Sequence, residues 1–249
     1  MSILDGLPAV LLVHAHPDDE TLTTGALAAE LVARGTRVSL LTASRGERGE
    51  VVAGPLSGLE GTEALARERA DELHRAAEVL GITDRFWLGQ APARAAGRPP
   101  RRYRDSGMSW IREGLAGPAT AEDGRADPDA LSSAPLAEVT ADLSALIEHL
   151  RPDLVISYDH GGGYGHPDHV RMHDATRAAC LAGQTPFAEI VLEPAADAEW
   201  LDLEARRATT TAALRCYRSQ LTVADDGTHI VHSGGQREAI TTSIGLRAR

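Results

Sequence analysis

The chain has 249 residues, 43% of them apolar and 24% charged, which suits one sizeable globular domain and not a disordered or fibrous chain. With 25 Lys and Arg against 36 Asp and Glu its formal charge is −11, which argues against a nucleic-acid partner and against an anionic membrane surface. The two cysteines, Cys180 and Cys216, fit free thiols, no apolar run reaches the roughly 20 residues of a membrane span, and the opening MSILDGLPAV lacks a secretory pattern, so a cytoplasmic location is expected.

Residues 9–13 are a compact apolar run, the pattern of a strand buried on both faces. A helix over 21–34 follows, stopped by Gly35, then a second strand over 38–42. After a polar, glycine-rich loop, residues 60–80 predict a long helix with Leu65, Leu73, Ala76 and Leu80 on one face and Gly81 as its stop. A short third strand is expected over 85–88.

Residues 89–135 are crowded with Gly, Pro, Arg and Asp and are long for a structureless connection. They read as a substrate-side loop or lid, with a short helix near 108–114 and a stretch over 117–129 without fixed structure. Order returns with a helix over 136–150, a fourth strand over 154–158, and a helix over 168–181. A strand over 188–192, a long helix over 201–221, an edge strand over 229–232 and a weakly patterned polar tail complete the reading.

Strands alternate with helices of 12 or more residues. This predicts an α/β, Rossmann-like fold: a mostly parallel sheet with helices on both faces, in a single domain over 1–249. The loop 89–135 and a smaller C-terminal element over about 185–249 are its appendages. Sites in such sheets lie beyond the carboxyl ends of the strands. Three segments converge there: the one after strand one, the one after strand four, and the loop carrying Glu47 and Glu50 after strand two.

Two of these segments hold His-Pro-Asp clusters, His16-Pro17-Asp18-Asp19-Glu20 and His166-Pro167-Asp168-His169. In a starting helix, side chains three residues apart share a face. Imidazole plus carboxylate suits Zn²⁺, Fe²⁺ or Mn²⁺. His16, Asp19 and His169 make a two-histidine, one-carboxylate set that leaves room for water and substrate, as catalytic sites do. Of the neighbouring carboxylates Asp18 and Asp19, one can ligate while the other serves as base. His166 and Asp168 are then free for acid–base or supporting work. The plain alternative for the first cluster is a helix start carrying favourable acids. His14 reads as a packing or hydrogen-bonding residue beneath the site, His74 and His149 as surface residues, and His173 as a brace or a solvent-facing residue. Glycines 161, 162, 163 and 165 are not a dinucleotide fingerprint, and no Gly-x-Ser-x-Gly is present.

His14-Ala15-His16-Pro17-Asp18-Asp19-Glu20 and Gly163-Tyr164-Gly165-His166-Pro167-Asp168-His169-Val170 resemble the LmbE-like or PIG-L family of metal-dependent N-deacetylases. The pattern is nearest to the mycothiol-pathway branch, which includes the N-acetylglucosaminyl-inositol deacetylase and the mycothiol conjugate amidase. Gly46-Glu47-Arg48-Gly49-Glu50, Arg69 and Asp105-Ser106-Gly107-Met108 also match, and Tyr217-Arg218-Ser219-Gln220 is a looser echo. The resemblance spans at least 9–176.

It implies that His16, Asp19 and His169 hold Zn²⁺, with Fe²⁺ as the alternative, and that Asp18 is the general base. His166 would stabilise the oxyanion or act as the acid, with Asp168 orienting it. Tyr164 matches a mobile tyrosine that assists at the carbonyl. Glu50, Arg69, Asp105 and Met108 match sugar-pocket positions. The implied reaction removes acetate from an N-acetylglucosamine-type small molecule. The segment between the strand near Ile190 and the final helix resembles a shortened version of the family's, so another N-acylated sugar is the alternative to an inositol-bearing one. An amidase of a mycothiol-like thiol conjugate and a non-catalytic sugar-binding protein are the rival readings. The sequence leaves a homo-oligomer open.

Overall fold

The computed structural model describes residues 2–112, 114–119 and 127–249. The elements run β1 (Ala9–His14), α1 (Asp19–Ala33), β2 (Arg37–Thr42), α2 (Glu63–Leu80) and β3 (Asp84–Trp87). There follow β4 (Met108–Arg112), β5 (Leu115–Pro118), α3 (Leu136–Leu150), β6 (Leu154–Ser157), the single turn α4 (Gly162–Gly165), and α5 (Pro167–Gly183). The last third holds β7 (Phe187–Val191), β8 (Glu199–Asp202), α6 (Arg207–Leu214), β9 (Leu221–Val223), β10 (His229–His232), β11 (Arg237–Ala239) and β12 (Ser243–Ala248).

Among the described residues the main sheet has seven strands in the order β3-β2-β1-β6-β7-β12-β8. The first five are parallel, and β12 runs antiparallel to both β7 and β8. Alternation within β1 explains why both faces are covered. Val10 and Leu12 pack with Leu27 of α1, Leu73 of α2 and Leu214 of α6, whereas Leu11 and Val13 pack with Leu143 of α3 and Met172 of α5. The expected α/β fold, a mostly parallel sheet between two helical layers, is what the chain adopts. Its functional rim lies at the carboxyl ends of β1, β2 and β6.

The departures lie outside this parallel half. The short helix expected near 108–114 is instead the β4–β5 hairpin, with Met108 opposite Pro118. The connection before it is fastened to α3 by a buried cluster. Arg94 Nη1 donates to Glu138 Oε1 (2.8 Å) and Asp142 Oδ2 (2.9 Å), and the Tyr103 hydroxyl donates to Asp142 Oδ2 at 2.8 Å. Of the stretch expected to lack fixed structure, residues 120–126 lie outside the described residues.

The long helix expected over 201–221 is also absent. Its first residues belong to β8, where Trp200 and Asp202 are exposed and Glu199 and Leu201 less so, the alternation of a strand. Of the rest, Glu204–Arg206 is a single 3-10 turn and only Arg207–Leu214 is α-helical. The chain then turns so that Tyr217, Ser219 and Gln220 face inward. His229–His232 is the central strand of a small β11-β10-β9 sheet, not an edge. The polar tail contributes β12, whose Ile244 and Leu246 are buried between β7 and β8. Gly245 makes that insertion feasible: a Cβ there would meet Val191 and Trp200 at 3.0–3.1 Å.

Candidate metal centre

β1 ends at His14, and the chain turns sharply before α1. Asp18 sits at the turn with φ 104°, a backbone region costly for a residue with a side chain. Its carbonyl starts α1 by accepting from the N–H groups of Thr21 (3.0 Å) and Leu22 (2.8 Å). This turn sends Asp18 and Asp19 in different directions. On the other strand of the rim, His166 caps α5 through its ring, whose Nδ1 accepts from the Asp168 N–H at 3.1 Å. Pro167 follows at the first helical position, where a missing N–H costs nothing.

The two clusters meet. His16 Nδ1 lies 3.2 Å from Asp19 Oδ2, and His169 Nε2 lies 3.3 Å from Asp19 Oδ1. The three imidazoles of His16, His166 and His169 form a buried group that could hold a metal ion. Asp105, Asp168, His16 and His166 form a second, overlapping group.

Hydrogen bonds decide which nitrogens are free. His16 Nε2 donates to Asp168 Oδ2 at 3.1 Å, and its Nδ1 lies 3.2 Å from Asp19 Oδ2. His169 Nδ1 donates to the Gly162 carbonyl at 3.2 Å, leaving Nε2 buried with no hydrogen-bond partner among the described residues. His169 thus has the arrangement of a ligand histidine, with one ring nitrogen fixed by an acceptor and the other bare. The donor set of two imidazole nitrogens and a carboxylate fits a Zn²⁺-like cation.

Electrostatics follow the same lines. Burial alone would raise the Asp19 carboxyl, but His169 and His16 beside it hold it well below the usual carboxylate range. Burial pushes Asp18 up to about 6, against the pull of the Arg69 guanidinium. Burial, reinforced by the neighbouring His16 and His169, pushes His166 far down, so its ring is neutral near neutral pH. His14, buried beneath the site and bonded to Thr24 Oγ1 at 2.9 Å, is lowered by burial to about 4.

A cavity of about 680 Å³ opens over the cluster. It is lined by His16, Asp18, Asp19, His166 and His169, and also by Tyr164, Glu50, Arg69, Asp105 and Met108. Every site residue expected from the sequence except Asp168 therefore borders one space. Asp168 lies behind it, fully buried. Its carboxylate turns to His16 and to Ser106, whose backbone N–H donates to Oδ2 at 2.9 Å, and its hydrogen bonds do not run to the His166 ring. Toward His166, expected to be its partner, Asp168 offers its backbone N–H, while its carboxylate meets His16.

Arg69 borders the same cavity. It is buried, Nη1 donates to the Gly46 carbonyl (2.7 Å), and Nη2 donates to the Pro17 carbonyl (2.6 Å) and Asp18 Oδ2 (3.1 Å). Gly46 at φ 63° yields space for it, since a Cβ there would fall 1.9 Å from the guanidinium. Asp105 Oδ1 accepts from Gly107 N–H at 2.8 Å and lies 3.5 Å from His16 Nε2. Glu50 stands at the mouth, accepting from Ser233 Oγ at 2.8 Å.

Several contributors escaped the sequence reading. Tyr158 stacks on His169 with ring centroids 4.1 Å apart, and its hydroxyl donates to Asp19 Oδ2 at 2.7 Å. Its only signal was a place at the end of a strand. Trp110, His232 and Gln236 line the outer cavity from β4 and the small sheet. No local pattern marked them: their strands pair within local hairpins, and it is the fold that brings those hairpins to the cavity.

The model of the family described as PIG-L, GlcNAc-PI de-N-acetylase, matches residues 11–180. The chain is 45% identical over 180 residues to a 1D-myo-inositol 2-acetamido-2-deoxy-alpha-D-glucopyranoside deacetylase of Kineococcus radiotolerans, covering 72% of this chain and 46% of that protein. It is 36% identical over 255 residues to the like-named protein of Mycolicibacterium vanbaalenii, covering 88% and 82%. The chain thus spans about half the length of the first of these curated relatives. The fold is shared with N,N'-diacetylchitobiose deacetylase from Pyrococcus horikoshii, at TM-score 0.59 and 22% identity, covering 90% of this chain and 73% of that one. Among the described residues no helix is long and apolar enough to cross a membrane. By its matched core and its two His-Pro-Asp clusters, the chain belongs to the PIG-L family.

Proposed function

We propose that this chain is a metal-dependent N-deacetylase that releases acetate from an N-acetylglucosamine-type small molecule. The observation that carries this reading is the convergence of His16 Nδ1, the unpartnered His169 Nε2 and the Asp19 carboxylate beside Asp18 in one cavity. The relatives named as deacetylases of an acetamido sugar support it.

His16, Asp19 and His169 would hold the metal, Zn²⁺ or alternatively Fe²⁺. When bound, such an ion lowers the pKa of a water molecule and polarises the amide carbonyl. The chain's own residues then divide the proton work. Asp18, with a pKa near 6, is a carboxylate at neutral pH and takes the proton of the attacking water. The Arg69 guanidinium holds it in place. His166 keeps its proton on Nε2, because Nδ1 already accepts from the Asp168 N–H. A neutral ring of this kind acts as a hydrogen-bond donor to the oxygen that gains charge, and not as an acid. Burial keeps the Tyr164 hydroxyl protonated, a second donor at the cavity wall. Asp18 then returns its proton to the leaving nitrogen as the amide C–N bond breaks. Water oxygen ends in acetate and the nitrogen leaves as a free amine. Glu50, Asp105 and Met108 are assigned to the sugar pocket because they line the same space.

The test is a screen for acetate release across N-acetylated amino sugars, run with Zn²⁺ and Fe²⁺ separately. Turnover of an acetamido sugar is the expected result. Cleavage confined to an S-conjugated pseudodisaccharide would move the assignment to the amidase. No acetate from any sugar with stoichiometric metal bound would favour a non-catalytic binding protein.

A further inference from the structure

We infer that Glu20 and Tyr217 are positioning residues for Asp18, so that the C-terminal part of the chain, beyond the 11–180 core that the family model matches, sets the geometry of the proposed base. This rests on the reading of Asp18 as the proton acceptor.

Asp18 is one of three non-glycine residues with positive φ among those described, and a conformation of this kind persists only where its surroundings fix it. Its surroundings do so from both sides. On one side Arg69 holds the Pro17 carbonyl and the Asp18 carboxylate. On the other, the Asp18 N–H donates to Glu20 Oε2 at 3.1 Å. That N–H is the group a return to negative φ would swing away.

Glu20 itself is fully buried, does not line the cavity, and meets no cationic side chain among its hydrogen-bond partners. A buried carboxylate survives where donors surround it. Its donors are the Asp18 N–H, the Thr21 hydroxyl and the Tyr217 hydroxyl. Tyr217 is also fully buried and comes from the turn after α6, 197 residues further along the chain. That turn is where the chain abandons helix. Next to it, Ser219 donates through its backbone N–H (2.7 Å) and hydroxyl to Glu72 of α2. α2 also carries Arg69. Both arms of the clamp on Asp18 are therefore tied to the same C-terminal turn, one through Tyr217 and Glu20, the other through Ser219, Glu72 and α2.

Glu20 and Tyr217 do not line the cavity and make no hydrogen bond to the side chains of His16, Asp19 or His169. Loss of the clamp should thus act on the rate step and leave metal and substrate binding alone. The experiment uses the full-length, metal-loaded protein. Glu20→Ala is expected to lower kcat by about 10- to 100-fold, with KM within about twofold and metal stoichiometry unchanged. Tyr217→Phe should give a smaller loss of the same kind. Glu20→Gln, which keeps an acceptor for the Asp18 N–H, should recover most of the rate.

The decisive arm places Glu20→Ala in an Asp18→Ala background. A positioning role predicts no further loss there, since the group being positioned is gone. A loss that multiplies in that background would overturn the inference. A second measurement is a crystal structure of the Glu20→Ala variant. Release of Asp18 from positive φ is expected, and an Asp18 that stays at φ near 100° on its Arg69 contact would also overturn it. If Asp18→Ala alone costs nothing, it is the proposed reaction and not the clamp that fails.

Discussion

Arg69 Nη2 lies 3.1 Å from Asp18 Oδ2 and, from the same nitrogen, 2.6 Å from the Pro17 carbonyl. One buried guanidinium thus fixes both the side chain of the proposed base and the backbone just before it. A planar fork with several donors can do this, and a lysine ammonium on a flexible stem cannot. Arg69→Lys should lower kcat by roughly 10- to 100-fold while metal binding persists. Steady-state kinetics with a metal assay checks this. A change in KM alone would return Arg69 to the sugar pocket.

The pH profile follows from Asp18. A base must be deprotonated to act, and burial raises this carboxyl to about 6. Below that value the proton is bound and the rate falls, about tenfold per pH unit. Bound metal attracts the charged form, so the acid limb should stand at or below pH 6. Asp18→Asn should leave only a flat residual rate across the limb. A limb that persists in Asp18→Asn would assign it to another group.

Tyr158 offers a test of the metal centre itself. Its hydroxyl donates to Asp19 Oδ2 and accepts from the Ala15 N–H, tying ligand and backbone together. Tyr158→Phe should weaken metal affinity by roughly 10- to 100-fold, as removal of such supporting contacts does. A competition titration with a chelating dye reads this. Unchanged affinity would mean that Asp19 needs no support from this side.

The segment before β4 gives a stability prediction. Asp142 accepts from Arg94, the Ala95 N–H (2.8 Å) and Tyr103, all at the buried face of α3. Asp142→Ala leaves Arg94 with Glu138 alone and strips the acceptor from the Ala95 N–H and the buried Tyr103 hydroxyl. The cost should be about 2–3 kcal/mol. A denaturant melt measures it. A loss below about 1 kcal/mol would mean that the cluster is open to solvent.

The parallel half of the fold was legible because its signals are local. Continuous apolar runs such as Ala9 to Val13 mark strands, and glycines such as Gly35 and Gly81 mark helix ends, without reference to anything distant. The His-Pro-Asp spacing marked the site in the same way. What stayed hidden depends on partners far along the chain. β12 is a strand because β7 and β8 flank it, and its own alternation is short. Residues 207–221 carry helical composition, yet Tyr217 turns inward to meet Glu20, and that contact ends the helix early. The partners of Asp168 are also set by the fold: the resemblance implied a role toward His166, and the structure brings Ser106 and His16 to its carboxylate.

The central claim is that Asp18 performs the proton transfer while His16, Asp19 and His169 hold the metal. The most direct measurement is acetate release by Asp18→Ala, with bound metal quantified in the same sample. The account predicts full metal occupancy with turnover reduced by roughly 10²- to 10⁴-fold. Unchanged turnover at full occupancy would contradict it.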